Sequence, residues 1–248
     1  MQIQTLEELS LNALSPLQQI LDDGWILRFA NGFTKRANSI TPLYSGMKEE
    51  SLTEKIDRSR RIYRSFGLPP IFRLADTSQW SELDRTLEDM GYAKQDIVSV
   101  RVKAIEDLLS FERDCEVAIE EQLSTEWLDR YVHAAEVPFQ HWDTLSTMLE
   151  IIPNPTCYAM LKHRGRFYSC GLGVLERNYL GIFFFVTDPQ QRRRGYGCQL
   201  ISAMADWGRS NGATQVYLQV ETANQAGMNL YDKLGFTEIY QYFYRLEI

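Results

Sequence analysis

The sequence predicts a chain of mixed α and β structure, α+β in class, built from two similar units. Three observations carry this. Helix-period and strand-period segments alternate along the whole chain. Glycine and proline turn signals separate them. A short pattern also occurs twice, as Leu87-Glu-Asp-Met-Gly91-Tyr92 and as Tyr231-Asp-Lys-Leu-Gly235-Phe236. In each, a helix ends on an apolar residue, then glycine, then an aromatic, and each follows helix–strand–helix. We read an internal repeat; chance is the competing account, because such endings are common helix C-caps.

The elements follow in order. Residues 6–22 read as a helix. Residues 24–44 read as a strand pair, since Trp25, Leu27 and Phe29 alternate with Ile26 and Arg28, and Asn31-Gly32 is a turn signal. Ser51 to Phe66 is a charged helix with Leu52, Ile56 and Tyr63 on one face and Gly67 ending it. A strand follows at Ile71 to Ala75, a helix at Ser78 to Met90, and a strand at residues 95–102. The second unit begins near Ala104. Helices at 124–136 and 141–151 flank a break at Pro138, and a hairpin over Arg164-Gly165 joins strands at 156–163 and 166–175. The apolar run 179–187 is a third strand. A loop, a helix to about Arg209, a strand at 214–221, a helix from Asn224 to Lys233 and a strand from Thr237 to Leu246 complete the chain.

Composition narrows the function. Of 248 residues, 44% are hydrophobic and 24% charged, which is enough apolar surface for a folded chain throughout. Two modest domains or one large one both fit this length. The net charge of -7 argues against a nucleic-acid partner. No run approaches the roughly 18 apolar residues of a membrane helix, and the first ten residues lack a signal peptide's basic flank and apolar core. Cys115, Cys157, Cys170 and Cys198 form no CxxC pair, so we expect neither a zinc set nor a disulfide framework, and a cytoplasmic location. His133, His141 and His163 have no metal spacing. No GxSxG elbow is present.

Chemistry concentrates in Val186-Thr-Asp-Pro-Gln-Gln-Arg-Arg-Arg-Gly-Tyr-Gly197. A strand ends, two glycines follow, and a helix starts. A helix start carries unpaired N–H groups and the positive end of its dipole, and glycine lets a phosphate approach. Arg192, Arg193 and Arg194 add charge beside this cradle. Neither GxxxxGK[ST] nor GxGxxG is present.

Two motifs in sequence identify a family. Arg192-x-x-Gly195-x-Gly197 matches [Q/R]-x-x-G-x-[G/A], and Asn224-Gln-Ala-Gly-Met-Asn-Leu-Tyr231-Asp-Lys-Leu-Gly235-Phe236 matches N-x-x-A-x-x-L-Y-x-x-x-G-F. Over roughly residues 115–248 the chain resembles the GNAT family of acyl-CoA-dependent N-acetyltransferases. The resemblance implies a mixed, mostly antiparallel sheet flanked by helices, with acetyl-CoA as donor and an amine of a small molecule or peptide as acceptor. It implies that backbone N–H groups of Arg193, Arg194, Gly195, Tyr196 and Gly197 hold the pyrophosphate, beside Arg192. Val186, or a neighbour, would pair with the pantetheine arm and polarise the thioester. Asn224 would hydrogen-bond the same arm, and Tyr231 would protonate the leaving thiolate. Two departures stand out. Gly227 replaces the usual alanine, and the strand before the loop carries no carboxylate base. Glu221, at the end of the next strand, is the nearest candidate; an exposed strand-end glutamate with no such role, and a water chain to a backbone carbonyl, are the competing accounts. Phe139 and Trp142 are candidate acceptor-pocket residues by the same resemblance.

The expected division is 1–103, a degenerate copy without a cofactor site, and 104–248, the catalytic unit. The matching loop, Tyr44 to Ser51, has one glycine, no arginine and two glutamates, and Leu87 stands where Tyr231 stands in the second unit. The first unit is expected to pack and to wall the acceptor site; an unrelated N-terminal extension is the competing account. The competing functions are a non-catalytic acyl-CoA-binding or regulatory module, and a transferase acting on a carrier or tRNA. Monomer and homodimer are both open.

Overall fold

The computed structural model describes residues 2–46, 51–111 and 115–247. The first unit runs α1 (Gln2–Ala13), β1 (Gln18–Asp22), β2 (Trp25–Phe29), β3 (Ile40–Pro42), α2 (Leu52–Ser65), β4 (Ile71–Ala75), α3 (Ser81–Asp89) and β5 (Tyr92–Ala104). The second runs β6 (Glu116–Glu120), α4 (Thr125–Ala134), α5 (Trp142–Glu150), β7 (Thr156–His163), β8 (Arg166–Glu176), β9 (Tyr179–Thr187), α6 (Tyr196–Ser210), β10 (Gln215–Glu221), α7 (Gln225–Lys233) and β11 (Thr237–Glu247).

All of these strands join one 11-stranded sheet in the order β1-β2-β3-β4-β11-β5-β10-β9-β8-β7-β6. Only β3–β4 and β9–β10 pair in parallel. In both units a helix makes that parallel crossover, α2 in the first and α6 in the second. In both, a second helix then leads to the unit's last strand. Those last strands are crossed. β11 lies between β4 and β5, while β5 separates β11 from β10. Neither unit can be lifted away without breaking the central pairings.

Side-chain alternation sends the strands into three cores. Val98, Val100 and Val102 of β5 pack with Leu6 and Leu9 of α1 and Trp127 of α4, in a core shared by both units. Val216, Leu218 and Val220 of β10 face α6 and α7. Trp25, Leu27 and Phe29 of β2 face α2 and α3 with Ile56, Tyr63, Leu83 and Leu87.

Two strands depart from the expectation. The end of the predicted helix 6–22 is β1, an edge strand exposed along most of its length. With little buried surface it shows no alternation. Its signal was Asp23-Gly24, with φ of 46° and 84°, which closes a two-residue hairpin between Asp22 and Trp25. At the opposite edge, β6 was not anticipated. β5 also begins at Tyr92, three residues before the expected start.

Candidate active site

The parallel pair at the centre of the second unit opens into a cleft. β9 and β10 stay in register from Tyr179/Gln215 only as far as Ile182/Leu218. Beyond that point β9 is bulged: Leu172 pairs with Phe183, but Cys170 pairs with Val186. Phe184 sits in the bulge at φ 46°, a strained setting for an aromatic residue. The parting strands leave the backbone of β9 facing an open gap.

A cavity of about 640 Å³ fills that gap. Ile182 to Phe185 form one wall and Gln219 to Glu221 another, with Asn224 and Tyr231 of α7 between them. Tyr131 and the stretch Ala135 to Pro138 close the third side. The first unit supplies the fourth: Phe33, Thr34, Lys35, Arg36, Asp96 and Val98. Besides Phe184, the lining residues Thr34, Asp96 and Glu136 have positive φ, of 53°, 48° and 53°. Backbone strain of this kind gathers where a site is held in shape.

Tyr231 reaches the cavity from α7 while its ring packs edge-on to Phe236 at 5.9 Å. Burial pushes its phenol up to about 12, and the charge of Arg36 pulls the other way. Asn224 caps α7, its side-chain oxygen accepting from the Gly227 N–H at 3.0 Å. This accounts for the glycine at 227. A Cβ there would lie 2.9 Å from Asn224 Nδ2 and 3.0 Å from Val220 Cγ2, so alanine would crowd the capping side chain. Glu221 is exposed at the rim, and its carbonyl accepts from the Asn224 N–H at 2.9 Å.

Val186 faces away from the gap. Its carbonyl accepts from Ser169 Oγ at 2.7 Å, and the Asp188 N–H donates to the Tyr168 carbonyl at 2.9 Å. Both residues therefore turn their backbone toward β8. By strand alternation, the edge turned toward β10 belongs to the neighbours Phe185 and Thr187. The bulge at Phe184 sets this phase, which residue spacing alone could not.

The phosphate-loop residues lie at the same end of the sheet. Gly195 precedes α6 at φ 82° and offers no side-chain cap to the first turn. Arg193 shares the left-handed setting at φ 63°. Arg192, Arg193 and Arg194 are exposed, and Arg192 Nε donates to the Thr187 carbonyl at 3.4 Å. Tyr196 stacks on Tyr168 at 4.5 Å. At Gly197 an added Cβ would stand 3.2 Å from Leu230 Cδ2 on α7, so glycine here keeps the two helix starts close.

A left-handed residue other than glycine costs about 1–2 kcal/mol. Gly195→Val should therefore shift the loop and weaken coenzyme A binding about tenfold, which is about 1.4 kcal/mol. Isothermal titration calorimetry reads this directly; an unchanged Kd would remove the loop from phosphate binding.

Phe139 and Trp142 do not line the cavity. Phe139 points outward, 80% exposed. Trp142 donates from Nε1 to the Val137 carbonyl at 2.9 Å, so it braces the wall from behind. Sequence reasoning expected the first unit to wall the acceptor site but named none of its residues there, and it missed Tyr131 and Glu136. Among the described residues, no group of three His, Cys, Asp or Glu side chains could hold a metal ion, and no helix is long and apolar enough to cross a membrane.

A parted parallel strand pair with a tyrosine in the opening, and an uncapped helix start on glycine at the same end of the sheet, define a GNAT-fold acyl-CoA-dependent N-acyltransferase. The comparisons agree. The family model described as "Probable histone acetyltransferase Rv0428c C-terminal" matches residues 1–245, and the chain belongs to that family. It is 26% identical over 226 residues to an uncharacterized N-acetyltransferase, YobR, of Bacillus subtilis, covering 90% of each chain. Among solved structures it resembles a GCN5-related N-acetyltransferase from Kribbella flavida, with TM-score 0.74 and 13% identity over 98% of this chain and 95% of that one. It also resembles a tandem GNAT protein from the clavulanic acid biosynthesis pathway, with TM-score 0.69 and 11% identity over 99% and 87%.

Proposed function

We propose that the second unit moves an acetyl group from acetyl-CoA directly onto the amine of a small molecule or peptide, with no covalent enzyme intermediate. The observation that carries this is the parting of β9 and β10 beyond Ile182 and Leu218, with Tyr231 in the opening. An extended pantetheine arm can pair with the exposed strand edge there, as a missing strand would. Its pyrophosphate then meets the bare start of α6 and the arginines beside it.

In the transfer, the amine nitrogen bonds to the thioester carbon and the carbon–sulfur bond breaks. One proton leaves the nitrogen and one reaches the sulfur. A backbone N–H at Phe185 or Thr187 stabilises the developing oxyanion. Tyr231 donates to the departing sulfur, and Asn224 Nδ2 is left to serve the arm while its oxygen caps α7. Glu221 takes the amine proton at the rim.

The first unit is read as a silent copy. α2 starts with a closed capping box, Ser51 accepting from the Glu54 N–H while Glu54 accepts from Ser51. The start of α6 in the second unit has no such side-chain cap, and a carboxylate at the start of α2 would repel a pyrophosphate. Leu87 is wholly buried in the core. Of the matching loop, Met47 to Glu50, including both glutamates, lie outside the described residues. Buried thiols at Cys157, Cys170 and Cys198, in no disulfide, fit a reducing cytoplasm.

The test mixes the protein with acetyl-CoA and a panel of amines and follows free thiol. Tight coenzyme A binding without thiol release from any amine would favour a binding module instead. Glu221→Gln should lower kcat/KM near pH 7 by about tenfold, below the usual range for a general base because water reaches the rim. The loss should shrink as pH rises and the amine sheds its own proton. A pH-independent effect would remove Glu221 from the role.

A further inference from the structure

A cluster of three arginines stands at and behind one wall of the cavity. Arg36 lines the cavity and also a small void behind it, which it shares with Arg28 and Arg73. All three come from the first unit: Arg28 from β2, Arg73 from β4, and Arg36 from the turn between β2 and β3. Arg28 and Arg73 are almost fully buried. Glu7 pairs with Arg73 through two hydrogen bonds, one of them 2.8 Å. Among the described residues no carboxylate pairs with Arg28 or Arg36. Arg28 donates instead to the backbone carbonyls of Arg36, at 2.9 Å, and of Leu11 and Leu14, and its Nε has no acceptor. Arg36 is set against Tyr242 and Tyr244, and phenols are neutral at pH 7. Three guanidinium groups thus face one carboxylate in an interior where uncompensated charge is costly.

The rest of the cavity does not supply the missing anion. Lys35 and Asp96 neutralise each other in an ion pair. Glu136 and Glu221 stand exposed at the rim. The phosphate loop does not line this cavity, which ends at Phe185 on β9, so the donor's pyrophosphate is bound elsewhere. The cavity is polarised, with the unpaired charge of Arg36 on one wall and the exposed carboxylates of Glu136 and Glu221 at its rim, and the acceptor is the ligand left to balance Arg36.

We propose that Arg36 receives a carboxylate of the acceptor, and that the acceptor is a small amine bearing that carboxylate, an amino acid or a close analogue, rather than a lysine within a basic protein segment. Guanidinium binds carboxylate through two parallel N–H donors, so it both holds and orients the ligand. The amine end of the same molecule then lies toward Tyr231 and Glu221. The first unit thereby carries the acceptor's anchor, while the second unit carries the donor site. This rests on the transferase reading above.

The decisive experiment measures acetyl-CoA-dependent thiol release by the full chain with the common L-amino acids, with their carboxamides and with a lysine-rich peptide. The carboxamide keeps the amine and loses the charge. The best acceptor should be a free acid, with KM at least tenfold below that of its carboxamide. Arg36→Gln should raise KM for the acid at least tenfold and change KM for the carboxamide less than twofold, so that the discrimination vanishes. Arg36→Lys should restore part of it. Preference of the wild-type protein for a carboxamide or for the peptide would overturn the proposal, and so would equal weakening of acid and amide by Arg36→Gln. Should that variant not fold, the acid-to-amide ratio of the wild-type protein decides alone. If no amino acid is acetylated or raises the melting temperature of the acetyl-CoA-loaded protein, the proposal fails. Coenzyme A binding by calorimetry and thiol release with other amines judge the transferase reading separately.

Discussion

Tyr231→Phe should lower kcat by about a hundredfold, the lower end of the range for a general acid, and leave the Kd for acetyl-CoA within about twofold. The change removes one oxygen and keeps the ring that packs on Phe236, so neither α7 nor its Asn224 cap should move. Calorimetry and single-turnover thiol release separate the two effects, and equal turnover would remove Tyr231 from its role. The pH dependence follows from its environment. Burial raises the phenol to about 12, so the neutral, donating form persists well above the ordinary tyrosine value. The rate should rise with pH as the acceptor amine or its base loses a proton, then stay level to about pH 10, the ordinary tyrosine value. A free thiol has a pKa near 8.5, well below this phenol's raised value. In the proposed transfer Tyr231 would therefore serve the departing sulfur more as a hydrogen-bond donor than as a source of a fully transferred proton. That refines the role that the motif by itself implies.

Glu7→Ala should destabilise the fold by about 3–5 kcal/mol, the usual cost of stripping one partner from a buried ion pair. For a chain of this size that is a fall in melting temperature of about 10 °C. Glu7, on α1, binds Arg73 of β4 and accepts from the Tyr240 hydroxyl of β11. Arg73 also lies 3.8 Å from the Tyr242 ring centroid. The carboxylate thus ties the first helix to the crossed strand from the far end of the chain. Its loss would leave Arg28, Arg36 and Arg73 together without an anion. Replacing Glu7 and Arg73 jointly by leucine and methionine should recover part of the stability, because the Arg73 charge is then gone while Arg28 and Arg36 remain. A melting temperature within 2 °C of wild type in Glu7→Ala, roughly half a kcal/mol here, would show that the pair contributes little.

Much of the second unit was legible in the sequence. The hairpin at Arg164-Gly165, the apolar strand before the phosphate loop and the helix starting at Tyr196 are local features, and hydrophobic period and turn chemistry act over a few residues. Asn224 and Tyr231 were named through the resemblance of their segment to a family motif, and both line the cavity. The edges were less legible. β1 and β6 bury little, so they carry a weak pattern. The orientation of Val186 was also hidden, because one bulged residue at Phe184 inverts which backbone groups face the gap.

The sequence by itself determined the class of fold, and it carries the motifs around Gly195 and Tyr231 on which the proposed donor site rests. Only the tertiary structure decided that β11 would lie between β4 and β5, and that Lys35, Arg36 and Asp96 of the first unit would wall a cavity opened by the second. The physical reason is range. A motif or a period records what a residue does with its near neighbours. An arginine set in one cavity with a tyrosine almost two hundred positions later is placed there by strand pairing across the centre of the sheet, and no local pattern records that pairing.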